Sequence, residues 1–334
     1  MKTFNNINTI KDWINYKPLN IVEKIIMTLP RSNFNFYWYN HNPIKFTNME
    51  KQFFSLVDTN SLSIKNNSIS FDKSATKLID KLFKYYVNSN TLVISTHNEH
   101  PSVRKNLEKS KNIYLLHNST TLDDMYDDIL NIEEILQTRN FSNIFIYIIG
   151  TRVDTGLTTP LEVYELIKKI ALQYNKNVIV VIDAVQEIFM WNRDYSMFDY
   201  IIGTGHAYVK KYDLGIMITK NGLPEFGNKN YKWGNGYLKR LHILFKRKDK
   251  LFMFNNILSK FFGIEDKSSV PYLYHIHTKY SFTKKEEQKS RNYCRLHLDG
   301  STLRARAIYY ILWPHMLIKL KHYIPYLINK KNKE

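Results

Sequence analysis

The sequence holds one cysteine in 334 residues, Cys294, so no disulfide can form within the chain. That scarcity suits a reducing compartment. The opening stretch MKTFNNINTIKDWINYK has no apolar core and no small-residue cleavage site, so no signal peptide is expected. No apolar run reaches roughly 18 uncharged residues, so no membrane span is expected either. Acidic residues are the other shortage, with 30 Asp and Glu against 48 Lys and Arg and a formal charge of +18. The imbalance is local. From Lys220 onward there are 24 basic and 8 acidic residues, which leaves the first two thirds nearly neutral. These features describe a cytoplasmic protein with a basic last third. Such asymmetry marks either a solvated lysine-rich surface, the ordinary reading, or a face for an acidic partner, whether nucleic acid, anionic lipid or an acidic protein. Nucleic acid is not expected as a partner, because no recognisable nucleic-acid-binding module is present.

What is there is a run of alternating patterns. SATKLIDKLFKYYV, the acidic TLDDMYDDILNIEEILQ and PLEVYELIKKIALQYN are apolar at helical spacing. NTLVIST, NIYLLH, NIFIYIIG, NVIVVIDA, YIIGTGH and GIMITK are short apolar runs that read as buried strands. Strands alternating with helices predict an α/β fold with a mostly parallel central sheet covered by helices on both faces. Three regions are expected: an N-terminal segment over 1–70 of short helices and loops, a large domain over 71–225, and a basic C-terminal region over 226–334. In the last region 251–263 reads as a helix. EDKSS and TKKEEQKSRN read as polar connections. RAIYYILWPHMLIKLKHYIPYLI reads as one kinked helix or two short ones, because Pro314 and Pro325 interrupt it.

Ligands of parallel sheets sit at the carboxyl ends of the strands. The polar residues ending these strands are His97 to His100, Thr151 and Arg152, Asp183, and Thr204 to His206. They are expected to converge on one edge. Asp183 ends the most apolar strand, and a carboxylate there needs a partner, because an unpaired buried charge is costly. Ser74, Ala75 and Thr76 open a helix, whose free N–H groups suit a phosphate as well as an ordinary N-cap.

Four segments, SATKLID, STHNEHPSV, VIVVIDAVQ and YIIGTGHAYVKKYDLGIMI, resemble in order and rough spacing the class V aminotransferase and cysteine desulfurase superfamily of pyridoxal 5'-phosphate (PLP) enzymes. The resemblance covers about residues 70–220. It implies PLP-dependent transferase fold type I with a short C-terminal α+β domain, a homodimer, and an amino-acid substrate handled through an external aldimine. It implies that Ser74, Ala75, Thr76, Thr204 and His206 hold the cofactor phosphate and that His100 stacks on the ring. It also implies that Asp183 pairs with the pyridine nitrogen and that Gln186 bonds the phenolic oxygen. The family often has an Asn near that oxygen, where the loop TRVDTGLTTP offers Arg152 and Asp154. The family's Schiff-base lysine follows the histidine of its signature. Here Ala207 follows His206, and Gly215 keeps its expected distance, so no gap hides a lysine. Either an engineered lysine-to-alanine change or a chain without ordinary PLP chemistry accounts for this. In YCRLHLDGSTLRARAIYY, Arg304 or Arg306 resembles the substrate-carboxylate arginine, and Cys294 stands near the position of a persulfide cysteine. The reaction is expected to be of desulfurase, lyase, epimerase or aminotransferase type. The alternative is an inactive PLP-fold module that binds a partner through its basic surface.

Overall fold

The computed structural model describes residues 7, 9–28, 68–117, 126–175, 177–187, 193–204, 214–227, 240, 243–244, 246–263, 273–277, 281–294, 296–299 and 302–331. Two helices open the described chain, α1 (Ile10–Asn15) and α2 (Ile21–Thr28). A sheet region follows with β1 (Ser68–Asp72), α3 (Ala75–Tyr86), β2 (Thr91–Thr96), α4 (Pro101–Leu107), β3 (Asn112–Leu116) and α5 (Tyr126–Thr138). It continues with β4 (Asn143–Ile149), α6 (Leu161–Tyr174), β5 (Val178–Asp183), β6 (Tyr200–Thr204) and β7 (Gly215–Thr219). The rest is α7 (Lys248–Phe252), α8 (Phe254–Phe262), β8 (Leu273–His277), α9 (Lys284–Cys294), β9 (His297–Asp299), β10 (Thr302–Arg306), α10 (Ala307–Leu312) and α11 (Pro314–Lys331). Among the described residues no helix is long and apolar enough to cross a membrane.

Residues 68–152 and 158–227 form one compact unit. Its seven strands run in the order β1-β7-β6-β5-β4-β2-β3, with β2, β3, β4, β5 and β6 parallel. β7 runs antiparallel to both β6 and β1. The strands are apolar almost throughout because both faces are covered; β2 and β7 are buried at every position. Against one face pack Leu78, Ile79, Leu82 and Phe83 of α3 and Val103 and Leu107 of α4, in one cluster with Phe145, Tyr147, Val181 and Met217. Burial of this kind stabilises by about 25 cal/mol per Å² of apolar surface. The α/β fold with a mostly parallel sheet is as the sequence predicts.

Residues 7–28, 153–157 and 240–331 form the second unit. It holds a three-stranded antiparallel sheet, β8-β10-β9, and helices around it. Trp13 of α1 is buried, donates to the Lys250 carbonyl at 2.8 Å and packs on Phe254 at 5.5 Å between ring centroids.

Three expectations need correction. TKKEEQKSRN is not a connection, since most of it lies in α9. Thr283 and Glu286 cap each other there, through Glu286 N to Thr283 Oγ1 at 3.3 Å and Thr283 N to Glu286 Oε2 at 2.9 Å. The 251–263 helix is two helices that meet at Met253. β1 was not expected, because Ser70 and Asp72 interrupt its apolar pattern although both are buried. The aromatic C-terminal stretch resolves as two helices that meet at Trp313, with Pro325 inside the second. EDKSS lies outside the described residues.

Candidate functional site

The strand order fixes where ligands can bind. From β2 the chain steps outward to β3, then returns to the other side of β2 for β4 and proceeds to β5 and β6. The carboxyl ends of β2 and β4 therefore flank a topological switch point, the usual crevice for ligands in such sheets. Glu99 and His100 follow β2, Gly150 follows β4, and Asp183 ends β5.

Asp183 is 4% exposed. Tyr147 donates its hydroxyl to Oδ2 at 3.1 Å, and the Val185 N–H donates to Oδ1 at 3.1 Å. Both donors are neutral. Burial holds the Asp183 carboxyl above the usual carboxylate range, against the pull of these bonds and of His100. His100 caps α4, with Nδ1 taking the Ser102 N–H at 3.2 Å and sharing a 2.8 Å bond with Ser102 Oγ. Gln186 lies in the turn after β5, and Thr204 ends β6 and donates to the Leu214 carbonyl at 3.0 Å.

The β1–α3 junction lies at the same edge, because β1 runs parallel to β6 and Asp72 and Thr204 both register with Gly215. Ser74 is the N-cap of α3, its Oγ accepting from Lys77 N at 3.3 Å. Ala75 and Thr76 supply first-turn amides that have no intrahelical acceptor. The close approach at this corner requires glycine at 215. A Cβ there would lie 2.3 Å from Ser74 C and O and 2.5 Å from Ala75 N, all backbone atoms. Ser74, Ala75, Thr76 and Thr204 are thus brought to one corner, with Asp183, Gln186 and His100 along the same edge. His206 and Ala207 lie outside the described residues.

The other expected site residues belong to the second unit. Arg304 donates from Nη1 to the Val153 carbonyl at 2.5 Å, and Arg306 ends the same strand, β10. Cys294 is fully buried, with Sγ 3.6 Å from the Ser290 carbonyl. Burial pushes its thiol up to about 12. A nucleophilic thiol needs exposure and a lowered pKa, so this placement is that of a core residue and does not support the persulfide role. Of the loop residues, Arg152 stays with the sheet unit. With the Asn98 amide turned so that its oxygen accepts, Arg152 Nη1 and Nη2 lie 3.2 and 3.3 Å from it. Asp154 belongs to the second unit, its Oδ1 accepting from Thr155 N at 3.0 Å.

Sequence reasoning missed two groups and gave no role to a third, Glu99, within its His97–His100 stretch. Tyr147 is hidden inside an apolar strand. Glu187 is fully buried and pairs with Arg193 at 3.1 Å, close against Gly150, where a Cβ would lie 1.6 Å from Glu187 Oε1. Glu99 is also fully buried. Its Oε1 accepts from Thr96 Oγ1 at 2.8 Å and from Ile149 N at 3.0 Å. Burial first, and then the Asp183 charge, push its carboxyl up to about 8. Glu99 lies in STHNEHPSV, and a glutamate beside an apolar strand end was the available signal of its role.

No protein-family model matches the chain, and no curated protein matches it in sequence. Solved structures share its fold. A NifS-like protein superposes with a TM-score of 0.61 at 15% identity, over 90% of this chain and 96% of its own. Ureidoglycine-glyoxylate aminotransferase from Bacillus subtilis gives 0.60 at 11% identity, over 91% of each chain. A PLP-bound C-S lyase from Staphylococcus hominis gives 0.56 at 10% identity, over 91% of this chain and 88% of its own. The fold is that of the PLP-dependent fold type I enzymes.

Proposed function

We propose that the chain binds PLP at the carboxyl edge of its seven-stranded sheet and acts there on an amino acid. The observation that carries this reading is Asp183, a buried carboxylate whose hydrogen-bond donors are a phenol and a backbone amide, both neutral. Such a group is stabilised by a cation, and a protonated pyridine nitrogen is one. The residues fit the group. Asp183 would hold the ring N–H, His100 would lie against the ring and Gln186 would take the phenolic oxygen. Thr204, His206 and the first amides of α3, at Ser74, Ala75 and Thr76, would hold the phosphate.

When bound, PLP supplies an electron sink for the electrons freed at the substrate α-carbon. The chain's part is to keep Asp183 ionised and oriented, to exclude water by the packing around β4 and β5, and to hold the substrate carboxylate through Arg304 or Arg306. The substrate is an amino acid, and the reaction is of desulfurase, lyase, epimerase or aminotransferase type. The protein acts as a symmetric homodimer in the cytoplasm, and its basic last third offers a face to an acidic protein. Ala207, where the family has lysine, favours a second reading: a PLP-fold module without catalysis that works through that basic face. In the first reading Ala207 is an engineered substitution.

Asp183→Asn tests the site. It keeps the size and removes the charge. Removing one partner of a buried charge pair costs about 3–5 kcal/mol, so PLP affinity should fall at least tenfold by absorbance titration. The cofactor-free protein should melt at an unchanged or higher temperature. Full PLP affinity in this variant would refute the role. Ala207→Lys separates the two readings, since turnover of an amino acid by that variant supports the enzyme and its absence supports the module.

A further inference from the structure

Asp183 is not the only carboxyl in the crevice. Glu99 bridges the ends of β2 and β4 at the switch point, through Thr96 Oγ1 and Ile149 N, and both bonds fall on Oε1. Its other oxygen, Oε2, is buried without a hydrogen-bond partner, and so is Ser95 Oγ. That hydroxyl pulls the carboxyl weakly toward its anion but lies outside good hydrogen-bond geometry, and burial with the Asp183 charge outweighs it. The titratable groups facing Glu99 are Asp183 on β5, Tyr147 on β4 and Tyr164 on α6. Beyond Asp183 stand His100 and the Glu187–Arg193 pair.

The two carboxyls are unequally served. Asp183 has a donor on each oxygen, which favours its anion. Glu99 has both donors on one oxygen and none on the other. A bare carboxylate oxygen in a dry cleft is costly. A proton on it removes the charge and turns that oxygen into a donor. Two like charges side by side in low dielectric also oppose joint ionisation.

We propose that Glu99 is a positioning residue held as a neutral carboxylic acid, with its proton on Oε2, so that of these two carboxyls only Asp183 is an anion. The step that ends this state is a simple ionisation, in which the Oε2–H bond breaks and the proton passes to solvent. The inference concerns Asp183 as PLP partner and rests on that reading only for its consequence on cofactor affinity.

Infrared spectroscopy of the full chain without cofactor reads the proton directly. The unsubstituted protein should show a protonated-carboxyl C=O band at neutral pH that shifts in D2O and fades as pH passes about 8. Glu99→Gln should lack it. The glutamine keeps the oxygen that Thr96 and Ile149 use and puts an NH2 in place of the unpartnered Oε2. Its PLP affinity at pH 7 should stay within about threefold of the unsubstituted protein's, because one neutral group replaces another. The affinity ratio of the two proteins should then change as pH rises past 8. Absence of the band, or its persistence in Glu99→Gln, overturns the proposal. So does a ratio that does not change with pH. A band that behaves as expected in a protein without PLP affinity upholds the proton assignment and sinks the cofactor reading instead.

Discussion

Tyr147 donates its hydroxyl to Asp183 Oδ2 across 3.1 Å, from a neighbouring strand and out of the apolar core beside α3 and α4. A phenol there has little reason to exist as packing alone. It stabilises the anion of Asp183, while burial pushes its own ionisation far above the usual range and keeps it a donor at every working pH. Tyr147→Phe should leave the ring packing intact and the carboxylate short of one donor. The cost is about 1–3 kcal/mol for an unsatisfied buried group. PLP affinity should fall five- to hundredfold, and the fall should be larger at pH 5 than at pH 8, because the variant's Asp183 protonates more readily. Fluorescence titration across pH measures this, and an affinity equal to that of the unsubstituted protein would show that Tyr147 does not act on Asp183.

Gly215 tests the phosphate corner. Alanine there puts a Cβ into the Ser74 and Ala75 backbone, so either β7 or the start of α3 must move. Overpacking of this kind costs about 1–3 kcal/mol. Gly215→Ala should lower the urea midpoint and weaken PLP more than it weakens pyridoxal, which has no phosphate. Equal losses for both ligands would detach this corner from the phosphate.

The sheet was legible because buried parallel strands are continuous apolar runs, and each of NTLVIST, NIYLLH, NIFIYIIG, NVIVVIDA, YIIGTGH and GIMITK contains a strand. β1 was not, since Ser70 and Asp72 interrupt its apolar pattern, and Asp72 is satisfied by a tertiary contact that a local pattern cannot show, Lys81 Nζ at 2.6 Å. α9 was missed because its exposed face made the composition look like a loop, while the Thr-x-x-Glu signal at 283–286 went unused. In the site, Asp183 and His100 were readable from strand ends. Tyr147 was not, and Glu99 was readable as a strand-end residue but not in its role, because what gives both a role is a partner on another strand. Cys294 was read from chain position, and position along the chain says nothing of burial.

Cys294 should be inert in the folded protein. Its thiol is pushed up to about 12 by burial, and almost none is thiolate at neutral pH. Iodoacetamide should leave it unlabelled for hours under native conditions and label it within minutes in denaturant, as read by mass spectrometry. Rapid native labelling would restore it as a candidate nucleophile.

Lys250 gives a pH dependence with a definite sign. It is 2% exposed. Its ammonium donates to the Ile14 and Tyr16 carbonyls at 3.0 and 2.7 Å and lies 4.6 Å from the Trp13 ring centroid. Burial first, and then Arg247, lower its pKa to about 8 from 10.5. Below pH 8 the lysine is charged in both folded and unfolded states, and folding bears the full cost of burying the charge. Between about 8 and 10.5 the unfolded chain binds the proton more tightly, so this residue's contribution to stability rises with pH. The slope reaches at most about 1.4 kcal/mol per pH unit, and it ends once both states are neutral. Lys250→Met removes the charge and keeps much of the stem. Urea midpoints should therefore show the stability difference between the unsubstituted protein and Lys250→Met shifting toward the unsubstituted protein from pH 8 to pH 10. A difference that stays flat over that range would mean that Lys250 keeps its proton in the fold, held by the two carbonyls and the Trp13 ring.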